Sequence, residues 1–206
     1  MMLARWQPQA LLPNEAELDV EPDRISDQEY DILKSSFDTW RDTLLCKLLK
    51  CSGLRAGELL RATTDHYNLK GPEYYLLALR SKRANRDPVY ARVFLPAVLG
   101  VELRNYMEGN RIPVGQPMFQ GRIKGKHLTL RALLYSFEKA SEKAGIYPSV
   151  TPHSMRHLYA SVLLAGNLPP ATVSKLLGHS NPRTTLEWYY DLTRDQRRAI
   201  AARMTP

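Results

Sequence analysis

The clearest pattern in the chain is a run of large apolar residues at helical spacing. Trp40, Leu44 and Leu48 recur every four residues, and Leu45 and Leu49 widen the same stripe. Such spacing predicts an amphipathic helix whose broad apolar face is buried against the rest of the domain. The small residues that follow this helix predict its end.

Helical signals continue on both sides of this segment. Before it, Ser26 and Glu29 have the spacing of a capping box, which predicts the start of a short helix. After it, the stretch LRAGELLRAT predicts another short helix, with Arg55 at its start. Further helices are predicted over residues 97–108, 129–144, 153–165, 169–177 and 182–191. The apolar stripe of the 129–144 helix consists of Leu130, Leu133, Leu134 and Phe137.

Two segments have the composition of strands. Residues 73–81 and 89–95 are rich in β-formers, and the intervening KRANRDP carries turn residues, so a β-hairpin with a basic tip is predicted. A further short strand is expected at Met118 and Phe119. The predicted fold class is mostly α with a small antiparallel β-sheet (α+β).

Charge divides the chain into a short acidic segment and a long basic one. The 206 residues have a net charge of +8, yet residues 1–30 contain seven acidic and two basic residues. The remaining residues therefore carry +13, and such an excess attracts polyanions, nucleic acid above all. Pro8, Pro13 and Pro22 interrupt the acidic segment, so residues 1–25 are predicted to form an acidic arm or linker.

Composition favours a cytoplasmic globular protein. Apolar residues make up 44% of the chain, and no apolar run approaches the roughly 20 residues of a membrane span. The first residues lack the basic start and continuous apolar core of a secretory signal, so no membrane partner is expected. Cys46 and Cys51 fit buried thiols better than a disulfide framework. The acidic residues show no spacing typical of a metal cluster.

Candidate chemistry is concentrated in TPHSMRHLYA, residues 151–160. On a helix, His153, Arg156 and His157 share one face. Three interpretations are open: a solvated polar face, a zinc site using both histidines, or an anion site. The zinc interpretation lacks the glutamate of HExxH and any cysteine cluster. An arginine fork matches phosphate oxygens and stays charged, which supports anion binding.

A second polar segment, LGHSNPRTTLEWYY, spans residues 177–190. Gly178 is expected to end one helix and Asn181 and Pro182 to begin the next, which places His179 on the connection. A histidine there could simply close the turn. Residues 169–190 also resemble a helix-turn-helix, whose second helix would enter a DNA groove, so a non-catalytic DNA-binding regulator is an alternative.

Three segments together resemble the signature boxes of the tyrosine recombinases, the phage-integrase family of DNA strand-exchange enzymes. They are SGLRAGELL at 52–60, PHSMRHLYAS at 152–161 and LLGHSNPRTTLEWYY at 176–190, in the family's order. The resemblance covers roughly residues 26–192 and implies the family's catalytic-domain fold. It also implies site-specific cleavage and rejoining of double-stranded DNA through a covalent 3′-phosphotyrosine, with no metal, ATP or other cofactor.

The resemblance implies a role for residues of all three boxes. Arg55, Arg156 and His179 would hold the non-bridging oxygens of the scissile phosphate, where negative charge rises as the phosphorus becomes five-coordinate. His153 would assist proton movement at the nucleophile. Glu58 would orient an arginine instead of taking part in the chemistry.

The proton donor and the nucleophile each have alternatives. The family keeps a catalytic lysine on the hairpin between the first two boxes, and Lys82 begins the tip here, with Arg83 and Arg86 as rivals. The family's spacing after the third-box histidine favours Tyr189 as nucleophile over its neighbour Tyr190, which would point about 100° away on a helix. The residues expected to contact DNA are Arg80, Arg83, Arg86 and Arg183.

The chain departs from the family in its size. Most members carry an additional N-terminal DNA-binding domain of about a hundred residues, for which residues 1–25 are too short. The chain is therefore expected to be either the catalytic portion of a longer protein or a compact member that uses the catalytic domain alone. The expected organisation is a catalytic domain at 26–192 followed by a basic C-terminal tail at 193–206, a segment that docks on a neighbouring protomer in relatives. Expected partners are duplex DNA on the nucleoid and further copies of the chain in a synaptic tetramer. A type IB topoisomerase, which uses the same active residues, is a second alternative.

Overall fold

The computed structural model describes residues 25–68, 73–81 and 89–178. These residues form helices and a small antiparallel sheet, so the predicted fold class is confirmed. The elements in chain order are α1 (Asp27–Ser36), α2 (Trp40–Ser52), α3 (Ala56–Leu60), β1 (Tyr67–Asn68), β2 (Tyr74–Ser81), β3 (Val89–Leu95), α4 (Ala97–Gly109), α5 (Leu130–Ala144), α6 (Pro152–Ala165) and α7 (Pro170–Leu177). A short 3₁₀ turn, Thr64–His66, precedes β1.

Local signals in the sequence set the helix ends. The predicted capping box before α1 is present: the Ser26 hydroxyl accepts from the Glu29 backbone N–H, and the Glu29 carboxylate accepts from that of Ser26. Thr39 caps α2 in the same way, because its side chain accepts from a backbone N–H of the first turn. At the other end of α2, Gly53 adopts a left-handed conformation with φ of 61°, which stops the helix.

The three strands form one antiparallel sheet in the order β1-β2-β3. The pairing of β2 with β3 confirms the predicted hairpin, whose tip at residues 82–88 lies outside the described residues. Leu76 and Ala78 of β2 face the helices and are buried. The sheet is fixed to α4 by the Tyr67 hydroxyl, which donates to the Gly100 carbonyl at 2.6 Å.

The core is built around α2. Leu44, Leu45, Leu48 and Leu49 are fully buried, as their spacing predicts, and α2 contacts α1, α4 and α6. A second, smaller apolar cluster joins α6 to α7. Within the described ranges, no helix is long and apolar enough to cross a membrane.

The predicted apolar stripes of α2 and α5 are too broad at their N-terminal ends. Trp40, the first residue of α2, is 47% exposed although its ring makes an edge-to-face contact with that of Tyr106. In α5, Leu133 and Phe137 are buried, whereas Leu130 and Leu134 are largely exposed. The α5 helix packs through one face only, against α1, α3 and α6.

The expected strand at Met118 and Phe119 is wrong. Both side chains are fully buried, but their backbones bond to different partners: the Met118 N–H donates to the Ala62 carbonyl, and the Phe119 carbonyl accepts from Leu128. Isolated bridges at Pro117 and Gln120 flank the pair, and they do not form a strand ladder. Apolar composition predicted burial here but could not distinguish a buried loop from a strand.

Candidate active site

The turn between α2 and α3 places Arg55. Gly53 reverses the chain, Leu54 is buried as an anchor, and Arg55 occupies the N-cap position of α3. The Arg55 side chain is 47% exposed, so its guanidinium can meet a ligand from solvent.

Glu58 holds Arg55 through both of its carboxylate oxygens. Oε2 accepts from the Arg55 backbone N–H at 2.8 Å, and Oε1 accepts from Arg55 Nη1 at 3.2 Å. The glutamate is 4% exposed while the arginine points outward, so the acid is the fixed member of the pair. This is the contact that an orienting role for Glu58 requires. The role itself remains a prediction.

The N-terminus of α6 places the second box. Thr151 caps the helix by accepting from the backbone N–H groups of His153 and Ser154, and Pro152 occupies the first helical position. This start leaves His153 exposed on the first turn and turns Arg156, three residues later, inward. The two side chains therefore occupy neighbouring positions on α6 but different environments.

Arg156 connects all three boxes. It is 1% exposed, and its Nη1 donates to the Gly53 carbonyl at 2.5 Å while its Nη2 donates to the Leu177 carbonyl at 2.7 Å. Gly53 belongs to the first box, Arg156 to the second and Leu177 to the third. Segments about a hundred and twenty residues apart in sequence therefore meet at one guanidinium.

The contact between the first box and α6 leaves no space for a side chain at Gly53. A Cβ atom at this position would lie 2.3 Å from Cδ1 of Tyr159 and 3.0 Å from a methyl group of Leu177. Left-handed geometry and close packing thus both require glycine. The backbone of the first box lies directly against α6 and α7.

The two histidines of α6 contact each other. The rings of His153 and His157 are 4.5 Å apart and nearly perpendicular, as one turn of spacing predicts. Among the residues the structure describes, no three His, Cys, Asp or Glu side chains group as metal ligands would. The two histidines therefore pack against each other, whereas Arg156 points inward.

Several predicted site residues cannot be placed. The side chain of Arg80 falls outside the described residues although its backbone belongs to β2. The following residues also lie outside them: Lys82, Arg83, Arg86, His179, Arg183, Tyr189 and Tyr190. The structure thus brings Arg55 into contact with Glu58, joins Arg156 to Gly53, two residues before Arg55, and packs His153 against His157.

Two members of this arrangement had no signal in side-chain chemistry. Gly53 and Leu177 take part through their backbone carbonyls, which residue type does not reveal. The sequence signal for both residues was their position within the first and third boxes. Backbone acceptors of this kind hold the arginine in place without adding a negative charge to the site.

The chain is similar to known proteins over most of its length. A model of the phage integrase family matches residues 24–196. Tyrosine recombinase XerA of Thermococcus kodakarensis is 33% identical over 146 residues, which cover 70% of this chain and 49% of that protein. Tyrosine recombinase XerC of Actinobacillus succinogenes is also 33% identical, over 70% of this chain and 47% of the relative. The chain spans about half the length of these curated relatives.

Solved structures share the fold. A XerH site-specific recombinase bound to palindromic difH substrate, in a post-cleavage complex, matches with a TM-score of 0.72 at 21% identity, over 91% of this chain and 55% of that one. A XerA recombinase matches with a TM-score of 0.67 at 18% identity, over 84% of this chain and 61% of that one. The catalytic-domain architecture expected from the three boxes is therefore confirmed.

Proposed function

This chain belongs to the phage integrase family, and we propose that it contains the catalytic domain of a site-specific recombinase that cleaves and rejoins double-stranded DNA. The reaction proceeds by transesterification through a covalent 3′-phosphotyrosine. The observation that carries the proposal is the position of Arg156, which bonds to the first and third boxes at once. A protein that only bound DNA through a helix-turn-helix would have no need of Arg55 and its buried partner Glu58 beside that contact.

The arginines stabilise charge on the phosphate. As the tyrosine oxygen adds to phosphorus, charge on the non-bridging oxygens grows, and each preorganised donor contributes about 3 kcal/mol to transition-state stabilisation. Arg55 is exposed and held by Glu58, so it is ready to receive a phosphate. Arg156 is closed to solvent in this conformation, so a phosphate reaches it only after the surrounding atoms move. His179 is the third proposed donor to the non-bridging oxygens of the phosphate.

Proton transfer completes the step. The Tyr189 hydroxyl loses its proton as its oxygen attacks, with His153 assisting, and the bond from phosphorus to the 5′ oxygen breaks. Lys82 donates a proton to the departing 5′ oxygen, with Arg83 and Arg86 as alternatives. The phosphotyrosyl ester retains the energy of the broken bond, so a free 5′ hydroxyl from another strand reverses the step. The proposal therefore requires neither ATP nor a metal ion.

Double-stranded DNA is the proposed substrate, and assembly of several copies on it is proposed for strand exchange between duplexes. A XerH relative is bound to a DNA substrate in its solved complex. The positive excess over residues 31–206 supports binding of a polyanion. The proposed domain limits are an arm before residue 26, the catalytic domain at 26–192 and a C-terminal tail at 193–206.

The decisive experiment traps the covalent intermediate. A pool of nicked duplexes with randomised sequence lets the free 5′ fragment diffuse away after cleavage, and denaturing gels then detect protein linked to DNA. We expect an adduct with the wild type and with Tyr190→Phe, and none with Tyr189→Phe. The reverse pattern would make Tyr190 the nucleophile.

Two other outcomes would replace the proposal. Stable binding of the pool with no adduct from any variant would indicate the non-catalytic regulator. Relaxation of supercoiled plasmid with no exchange between selected duplexes would indicate the topoisomerase-like enzyme. Glu142→Gln, an exposed change on α5, serves as the control that should leave adduct formation intact.

A further inference from the structure

A stretch between the first and second boxes contains only positive charge. Residues 109–137 have no Asp or Glu and five Lys or Arg residues. Four of these five, Arg122, Lys124, Lys126 and Arg131, lie on the loop before α5 and on its first turn, and all four are exposed. We name residues 121–131 the basic loop. Within the described part of the chain, none of its four cations forms an ion pair with an acid.

The basic loop has a defined shape. The Gly121 N–H donates to the Lys126 carbonyl at 3.0 Å, and the Lys126 N–H donates to the Ile123 carbonyl at 3.1 Å, which closes a turn within the loop. Gly125 adopts a φ of 79°, and its N–H donates to the side-chain oxygen of Gln120 at 2.9 Å. Its charges therefore project from a closed turn, so that ordering them on a ligand costs less conformational entropy than ordering a free tail would.

The start of the loop is attached to α2 by an ion pair whose acid is buried. Asp42 accepts from Arg41 Nε at 2.7 Å and from the Ser136 hydroxyl at 2.7 Å, and Arg41 Nη1 donates to the Gln120 carbonyl at 3.1 Å. Burial of Asp42 acts to raise its pKa, but the hydrogen bonds from Arg41 and Ser136 and the Arg41 charge outweigh it and hold the pKa below its ordinary value. The pair stays ionised at neutral pH and fixes the loop to two helices.

The other end of the loop is attached to the helix that follows Arg55. His127 Nδ1 donates to the carbonyl of Leu60, the last residue of α3, at 2.6 Å. Leu60 is five residues after Arg55, a distance of about 8 Å along a helix. About 10 Å of duplex carries roughly six phosphate charges. A duplex with one phosphate at Arg55 therefore carries several further phosphates within the distance that separates Arg55 from Leu60, where the loop is attached.

We propose that the basic loop binds backbone phosphates of the duplex at positions flanking the one held by Arg55. This rests on the proposed function, because it takes duplex DNA as the ligand. The N-terminal end of α5, capped by Thr129, adds the positive end of a fifteen-residue helix to the same surface. The contacts are to phosphate, so they position the duplex without reading its sequence.

Salt dependence of binding tests the proposal with any duplex, because phosphate contacts do not depend on sequence. Binding of a fluorescein-labelled 30-base-pair duplex is followed by anisotropy over a series of salt concentrations. Removal of Arg122, Lys124 and Lys126 by substitution with Gln should reduce the slope of log K against log salt by about 2.7, since each phosphate contact contributes about 0.9. Lys124→Gln alone should reduce it by about 0.9.

The matched control removes three positive charges elsewhere. Lys34→Gln, Lys47→Gln and Lys143→Gln together give the same net charge as the loop variant, from positions on α1, α2 and α5. This control should keep the wild-type slope. Equal slopes for the two triple variants, or a loop variant with the wild-type slope, would overturn the proposal. Circular dichroism melting of each variant verifies that it is folded.

The result is separable from the fate of the proposed catalysis. If the wild type binds duplex but forms no adduct, the proposed function is refuted. The difference in salt slope between the two triple variants still tests the basic loop. If the wild type forms the adduct but the loop variant keeps the wild-type salt slope, only the inference about the basic loop is refuted. A wild type with no salt-dependent binding overturns both.

Discussion

Replacing Gly53 with alanine is the sharpest test of how the first box is held. The change adds one methyl group at a position with φ of 61°, where that methyl would lie 2.3 Å from Cδ1 of Tyr159. Gly53 also presents its carbonyl to Arg156, so any shift that relieves the overlap moves an acceptor of the buried guanidinium. Stability and activity should therefore fall together.

The expected magnitude has two parts. A non-glycine residue in the left-handed region costs about 1 kcal/mol. Overpacking against a ring and a methyl group adds about 1–3 kcal/mol, because the added methyl group would overlap two atoms of the Tyr159 ring. The sum of about 2–4 kcal/mol lowers the melting temperature of a domain of this size by about 4–16 °C.

Gly145 provides the control, since it has φ of 71° and no atom lies within 4 Å of the place that an added methyl group would take. Gly145→Ala should cost only the conformational part, about 1 kcal/mol. Urea unfolding of both variants, with the trapping assay beside it, separates packing from backbone strain. Equal losses for Gly53→Ala and Gly145→Ala would refute the reasoning, as would full adduct formation by Gly53→Ala.

Three further changes test the remaining contacts of the site and of the basic loop. Arg156→Lys keeps the charge but cannot span two carbonyls, so urea unfolding should show a loss of about 1.5–3 kcal/mol, and no adduct should form. Glu58→Gln replaces an acceptor beside Arg55 with an amide and should slow adduct formation in a single-turnover time course, whereas Glu142→Gln should not. Asp42→Asn should cost about 1.5–3 kcal/mol at pH 7. Because the folded-state pKa of Asp42 is lowered, its contribution is present above its unfolded pKa of about 3.9 and is lost as pH falls through the folded value, so the difference from wild type should shrink in acid.

Local signals in the sequence predicted most of the helix ends because they act over a few residues. The Ser26 and Glu29 capping box before α1 and the small residues at the end of α2, Gly53 among them, act on backbone groups within one turn, and the structure confirms both. The strand pair was equally predictable, since residues of turn composition separate two β-rich segments in the sequence. None of these features depends on how distant parts of the chain pack.

Features that depend on distant packing were less predictable. The exposure of Leu134 depends on which side of α5 lies against other helices, and a helical period cannot show where a neighbouring helix ends. The link from His127 to the Leu60 carbonyl joins residues 67 positions apart through a backbone atom. Periodicity and residue type carry no information on such a pairing.

The position of Arg156 explains why a box can matter beyond its side-chain chemistry. A fully buried guanidinium needs acceptors, and acidic acceptors would neutralise the positive field that a phosphate requires. Two backbone carbonyls accept from Nη1 and Nη2 and add no negative charge. The glycine at 53 and the helix end at Leu177 supply those carbonyls, because each lies where a helix stops and its last carbonyls lack intrahelical partners. The first and third boxes therefore contribute two helix ends to the site, and the arginine of the second box joins them.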